Sequence, residues 1–343
     1  MKGEIHTGHC VPILKRLNEK IAHCVVTSPP YWSLRDYGES RKDQIGMEAS
    51  PLDYIKHLEE VFFAVKRVLR DDGTLWVIIG DAYAYDRLPE VNAKGGDLLG
   101  LPWLFATAMR NQGWFVRYEG IWHKLSVTPS NTNNRPILAH EHIFMFTKIR
   151  SDYYYDQYAI LSPKKSFPRS VWKIAVDKSR IDHSATFPID LPLKIIKAGT
   201  SQAGCCSKCG KPYRRKLSFK NPVKPTQTYE QAARKLKRIG VGVQKKTIPR
   251  PEHSYFDNYR TTTGWEKPCR CRAKAKPCVV LDPFLGSGTS AIAAEILGRE
   301  WIGIELFKKN VLLSRRRINS ISVGTELMRT QNKVRSLGLS KRT

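Results

Sequence analysis

Two consecutive prolines, Pro29 and Pro30, set the sharpest constraint on how this 343-residue chain can fold. They follow Ile21-Ala22-His23-Cys24-Val25-Val26, a mostly apolar run rich in β-branched residues that reads as a buried strand. The prolines end that strand and remove two backbone N–H donors, so the carbonyls beside them are left to accept from something else. Around them stand Thr27, Ser28, Tyr31 and Trp32. A hydroxyl, an exposed carbonyl and two aromatic faces thus gather at a strand end, where open α/β sheets place their ligands. Such a group suits a planar ring that carries an amino group. A rigid turn around a buried Tyr and Trp fits the same six residues.

The surrounding pattern alternates strand and helix. A short strand is expected over 5–10, then a helix through Ile13, Leu14 and Leu17. Pro51 opens a helix in which Tyr54, Ile55, Leu58, Val61, Phe62, Val65, Val68 and Leu69 recur at spacings of three and four, with Asp71-Asp72-Gly73 as its stop. Residues 74–79 form a buried strand leading to Gly80-Asp81, a helix covers 102–110, and strands are expected over 114–117, 120–122 and 142–147, with a polar loop at 126–136. Later come a strand over 278–282, a glycine loop, a helix over 290–297, a strand over 301–305 and a last amphipathic helix carrying Val311-Leu312-Leu313. This order predicts an α/β fold with a doubly wound, mostly parallel sheet.

Charge narrows the partners. The formal net charge is +27, and hydrophobic residues make up 41% of the chain, enough for a packed core. Such an excess of Lys and Arg points to a polyanion, nucleic acid first, because phosphate neutralisation drives that association. No apolar run approaches the ~20 residues of a membrane span, no amphipathic anchor is evident, and the N-terminus lacks the apolar stretch of a secretory signal. Cytoplasmic residence is therefore expected, with no membrane partner and with eight reduced or metal-bound cysteines.

Leu281-Asp282-Pro283-Phe284-Leu285-Gly286-Ser287-Gly288-Thr289-Ser290 is the second anchor. A strand entering a Gly-x-Gly turn and then a helix lets backbone approach a ligand, with helix N–H groups aimed at it. The turn lacks the lysine of a phosphate-binding P-loop and the third glycine of the dinucleotide fingerprint. It adds Asp282 at one strand end and Glu305 at the next: an acid for an ammonium group and an acid for ribose hydroxyls, as S-adenosylmethionine would require. A tight strand–helix turn with Glu305 as an ordinary surface acid is the plainer alternative.

Together, in this order, the two motifs resemble the amino-group DNA methyltransferases of the beta arrangement, in which the catalytic motif precedes the cofactor motif. The likeness continues through residues 34–38, 44–48, 73–81 and 183–188 and leaves out the region 201–277 and the tail. It implies a permuted, Rossmann-like methyltransferase fold that uses S-adenosylmethionine. Ser28, Pro29, Pro30 and Tyr31 would be the catalytic residues, with Asp81 as a further pocket acid or a solvated strand-end acid. Gly8, His9, Phe187, Asp282, Phe284, Gly286, Ser287, Gly288, Thr289 and Glu305 would hold the cofactor. His9 stands where the family usually has Asp. Ser at the first motif position is associated with cytosine-N4 enzymes, Asp or Asn with adenine-N6 enzymes, so cytosine N4 in double-stranded DNA is the expected target and adenine N6 the alternative. A cognate restriction endonuclease is an implied partner, in a prokaryotic or virally encoded system.

Residues 201–277 differ in kind. They hold twenty Lys and Arg against four Asp and Glu, an excess of sixteen positive charges with little apolar periodicity. Cys206, Cys209, Cys269 and Cys271 have the spacing to supply four thiolates to one structural zinc, with Cys205 as a substitute for Cys206; Cys10, Cys24 and Cys278 read as core residues. The expected organisation is a catalytic half at 1–200, this basic insert, a cofactor-binding half at 278–325 and a basic tail at 326–343. Tyr213, Phe219, Tyr229, Tyr255, Phe256, Tyr259 and Trp265 interleave the insert's charges, which suits phosphate contact and base stacking. Target recognition is expected from the insert together with segment 151–182. A zinc-stapled DNA-binding protein without activity, or an RNA methyltransferase, is a further alternative.

Overall fold

The computed structural model describes residues 3–33, 44–127, 133–162, 167–176, 187–219 and 260–320. The chain runs through β1 (Gly3–Thr7), α1 (Cys10–Arg16), β2 (Ala22–Thr27), α2 (Pro51–Val68), β3 (Leu69–Ile79), α3 (Leu101–Asn111), β4 (Phe115–Lys124), β5 (His140–Thr147), β6 (Val171–Ile174) and α4 (Asp190–Gly199). Then follow β7 (Cys205–Cys206), β8 (Arg214–Phe219), β9 (Arg260–Glu266), β10 (Ala275–Lys276), β11 (Val279–Asp282), α5 (Thr289–Ile296), β12 (Glu300–Glu305) and a last helix, α6, over 308–320.

Eight strands form one sheet in the order β1-β12-β11-β2-β3-β5-β4-β6. The first five are parallel neighbours, and β5 alone runs against the rest. The two halves on either side of the insert thus interleave, with β11 seated between β12 and β2. From β2 the chain crosses to β3 through α2, whereas from β11 it crosses the opposite way to β12 through α5. The crevice outside the ends of β2 and β11 is therefore a topological switch point.

Both faces are covered, as the alternation along the strands requires. Val25, Leu75 and Val77 point to the face packed by Leu14, Phe62 and Phe105, whereas Cys24, Val26, Trp76 and Ile78 point to the face packed by Leu191, Ile195 and Ile292. Ser50 caps α2 by accepting from the Leu52 N–H at 3.1 Å, with Pro51 pre-set at the first turn. Among the described residues no helix is long and apolar enough to cross a membrane.

Several boundaries differ from the sequence expectation, beginning with the first strand, which ends at Thr7 because His9 caps α1 and Cys10 opens it. The helix from Pro51 stops at Val68, and Asp71-Asp72-Gly73 lies inside β3. Gly73 is there because a Cβ would come within 2.9 Å of the His23 carbonyl, so its role is close strand approach at the β2 irregularity. Residues 115–124 give one strand, β4, with a register shift between Val116 and Tyr118. And β5 begins at His140, which brings Glu141 into the sheet. The segments 34–38 and 183–186, the aromatics Tyr229, Tyr255, Phe256 and Tyr259, and the tail 326–343 lie outside the described residues.

Phe62 is fully buried, with its ring centroid 5.3 Å from that of Phe105. Phe62→Ala should cost about 3–5 kcal/mol of stability, read from urea unfolding, because the α2–α3 contact cannot collapse into the space left.

Candidate active site

Side chains from several adjacent strand ends meet at the carboxyl edge of the parallel strands, and Asp282 is the knot. It is 3% exposed, and its Oδ1 accepts from the Thr27 hydroxyl at 2.6 Å and from the Phe284 N–H at 3.0 Å, while Ser290 donates to Oδ2. One carboxylate thus ties the end of β11 to the end of β2 and to the first turn of α5. Burial pushes this carboxyl up to about 6, against the donors that lower it.

Glu305 is buried rather than a surface acid. Its Oε2 accepts from the Gly286 N–H at 2.8 Å, and its Oε1 from the Phe307 N–H at 2.9 Å and Asn310 Nδ2 at 3.1 Å. Burial raises this carboxyl too. Gly286 (φ +54°) and Gly288 (φ +85°) adopt left-handed backbone, and a Cβ on Gly288 would press within 3.0 Å of Ser314 on α6. Gly288 caps α5 without a side chain, so the helix keeps its first N–H groups for the crevice. Arg317 on α6 donates to the Ser287 carbonyl at 2.7 Å and to Thr289 Oγ1 at 3.3 Å, holding the same loop from behind.

At the end of β1, Gly8 (φ +135°) donates its N–H to the Glu305 carbonyl. His9 Nδ1 accepts from the Val11 N–H at 3.3 Å as the N-cap of α1, the role an Asp could fill at this position. Phe187 packs half-buried against the α4–α5 side of the sheet. Glycine loop, acids and N-terminal turn therefore line one crevice that could hold an adenosine ligand bearing a charged amino group.

The proline turn sits beside it. The Pro30 carbonyl is taken by the Tyr54 hydroxyl at 2.9 Å, whereas among the described residues none donates to that of Pro29. Ser28 donates to the Tyr31 hydroxyl at 3.2 Å, and Tyr31 donates to Glu141 Oε2 at 2.5 Å. Lys124 Nζ lies 2.7 Å from Glu141 Oε1. A Cβ at Gly80 would fall 2.8 Å from the Tyr31 ring, so the glycine after β3 is what lets the tyrosine lie here. Burial first, then the neighbouring Glu141, push the Tyr31 phenol well above its ordinary value.

Asp81 is placed differently from its expected role. Its oxygens accept from the N–H groups of Ala82, Gly100 and Leu101 at 2.9–3.0 Å, fastening the loop before α3, and it forms no hydrogen bond with Ser28 among the described residues. Glu141 is the acid at this pocket, and the sequence reading omitted it. Its signal was an acid two residues before the apolar run Ile143-Phe144-Met145-Phe146, where buried acids are rare unless paired.

The cysteines gather as expected, with one choice settled. The sulfurs of Cys206, Cys209, Cys269 and Cys271 all lie within 4.8 Å of one another, so four thiolates could converge on one metal ion. Cys205 belongs instead to a buried group with Cys278 and His23. Both ring nitrogens of His23 are engaged there, Nδ1 by the Val279 N–H and Nε2 by the Gly210 carbonyl, so that group offers no free imidazole ligand. Cys10, Cys24 and Cys278 are buried.

The described part of the insert is two ribbons, β7 with β10 and β8 with β9. It docks where β2, β3 and β11 begin: His23 reaches the Gly210 carbonyl, Arg70 donates to the Cys209 carbonyl at 3.1 Å, and Arg215 pairs with Asp156 at 2.8 Å. That is the edge opposite Ser28, about 17 Å from His23 along β2 at ~3.3 Å per residue. Segment 151–182 contributes β6, an edge strand of the main sheet, with 163–166 and 177–186 outside the described residues.

The model of the N6/N4 DNA methylase family matches residues 22–206 and 276–315. Type II methyltransferase M.SmaI of Serratia marcescens is 30% identical over 340 residues, covering 92% of this chain and 90% of its own length. M.Cfr9I of Citrobacter freundii is 38% identical over 216 residues, 56% of this chain and 71% of its own. The fold is that of the cytosine-N4-specific PvuII DNA methyltransferase (TM-score 0.56, 18% identity, 94% of this chain and 91% of that one). It is likewise that of a Thermus thermophilus protein assigned as a DNA modification methylase and complexed with S-adenosyl-L-methionine (TM-score 0.55, 21% identity, 93% and 94%).

The raised Asp282 carboxyl has a consequence for stability. Between its ordinary value of 3.8 and about 6, the folded chain holds a proton there that the unfolded chain lacks. The contribution is therefore full below about pH 4 and is lost as pH rises through 6. The stability of wild type minus that of Asp282→Asn should fall by about 2 kcal/mol from pH 4 to 7 in urea titrations.

Proposed function

The chain belongs to the N6/N4 DNA methylase family as an S-adenosylmethionine-dependent DNA methyltransferase, and on that premise we propose that it methylates cytosine N4 within a short duplex sequence. One observation carries this reading: the proline turn and the glycine loop are joined at the switch point by the 2.6 Å Thr27–Asp282 hydrogen bond. Two half-sites held by a single contact can present an amine and a methyl donor to each other.

The residues present fit the cofactor, because an uncapped helix N-terminus, two left-handed glycines and two buried acids line the crevice. Gly8 and His9, Asp282 and Phe284, Gly286 to Thr289, Glu305 and Phe187 would hold it. When bound, S-adenosylmethionine supplies a sulfonium methyl, and transfer leaves the C–S electron pair on sulfur while the amine sheds one proton to water.

The chain's own work is on the amine. An exocyclic base nitrogen is a weak nucleophile because its lone pair is spread into the ring. Accepting its two N–H groups at the Ser28 hydroxyl and the Pro29 carbonyl favours a pyramidal nitrogen and stabilises the charge that develops on it. The base must leave the duplex to reach that turn, and Tyr31 and Pro30 would form the wall it meets. Ser28 at the first motif position favours cytosine; Asp81 would shape the pocket through the loop before α3 rather than by touching the amine.

M.SmaI and M.Cfr9I are type II methyltransferases, so we assign this chain the protection of DNA alongside a cognate restriction endonuclease. To the insert we assign phosphate contacts through exposed Lys208, Lys211, Arg214 and Lys216, and a structural zinc at Cys206, Cys209, Cys269 and Cys271.

Nucleoside mass spectrometry of DNA treated with the protein should show N4-methyldeoxycytidine; N6-methyldeoxyadenosine instead would favour the adenine reading. Ser28→Ala should lower methyl incorporation by about 100-fold with cofactor binding by calorimetry retained. Elemental analysis should find one zinc per chain that Cys206→Ser loses, and chelation should lower the melting temperature; a metal-free chain of equal stability would exclude the ion.

A further inference from the structure

Ser28 can act on a base amine only if its oxygen, not its hydrogen, faces the crevice. A hydroxyl has one proton and two acceptor lone pairs, and a free serine rotor can present either. In this chain the rotor is set. Ser28 gives its proton to Tyr31 at 3.2 Å, and Tyr31 gives its own to Glu141 at 2.5 Å. The second link is the shorter and has a carboxylate acceptor, so it is the rigid one.

Glu141 is itself held. It is 8% exposed, it enters from β5, the one strand running against the sheet, and Lys124 on β4 lies 2.7 Å from its other oxygen. Tyr31 cannot drift, because its ring lies against the bare backbone of Gly80. Asp81, the acid at the end of β3, is fastened to three backbone N–H groups and serves the loop before α3.

We propose that Glu141 is a positioning residue for methyl transfer, acting through Tyr31 to fix Ser28 as a hydrogen-bond acceptor toward the target amine. The assignment rests on the methyltransferase reading above. Tyr31 then has a second duty besides presenting a ring: its phenol turns a carboxylate about two side chains away into control of one hydroxyl rotor. Lys124 keeps Glu141 from rotating out of reach.

The test is steady-state methylation of duplex DNA by the full chain carrying Glu141→Gln, Tyr31→Phe or both, with cofactor binding by calorimetry as the check on folding. Tyr31→Phe removes one oxygen and leaves the ring and the Glu141–Lys124 pair intact, so it reports even if Glu141→Gln folds poorly. Each single variant should lose about 10- to 100-fold in kcat with KM for DNA and for S-adenosylmethionine changed less than about two-fold, and the double variant should be no worse than the poorer single. A kcat unchanged in Tyr31→Phe, or losses that multiply in the double variant, would overturn the assignment while leaving the methyltransferase reading in place. A wild-type chain that transfers no methyl to DNA would overturn both.

Discussion

The Thr27–Asp282 hydrogen bond is the constraint on which the rest depends. It spans 255 positions of sequence and joins the two parallel strands at which the chain reverses its winding. Without it Asp282 would be a buried carboxylate short of a donor, and such a group costs far more than one hydrogen bond is worth. The same carboxylate fixes the first turn of α5 through Ser290, so strand pairing, loop and helix are set by one side chain. That rigidity suits a site in which two groups must be aligned for in-line transfer.

Buried and half-buried acids recur around the crevice, and each is satisfied chiefly by protein donors. Glu305 holds Gly286 and the start of α6, Asp81 holds the start of α3, and Glu141 holds Tyr31. A chain with a net charge of +27 thus reserves several of its few acids for the carboxyl edge of its sheet. They keep glycine-rich and proline-rich backbone in shapes that short segments would not hold alone.

The other edge carries the opposite charge. The cysteine cluster and its ribbons dock where the strands begin, beneath rather than beside the proline turn, through His23, Arg70 and Asp156. The described part of the insert and the proline turn therefore lie at opposite ends of the same strands.

Much of the fold was legible in residue patterns. The strand–helix alternation gave the doubly wound sheet, and the prolines and glycines marked the two strand ends at its switch point, because those residues fix backbone within a few positions. The four clustered cysteines were readable for the same reason: ligand chemistry leaves few residue types to choose from. Tertiary structure alone decided the rest. It placed Asp71-Asp72-Gly73 in a strand, seated Glu141 rather than Asp81 beside Tyr31, gave Asp282 its Thr27 partner and put the described part of the insert at the far edge. Those outcomes depend on strand order, with β11 returning between β12 and β2 and β5 entering antiparallel beside β3. Spacing along a chain specifies which face a residue points to, but not which distant strand will lie against it.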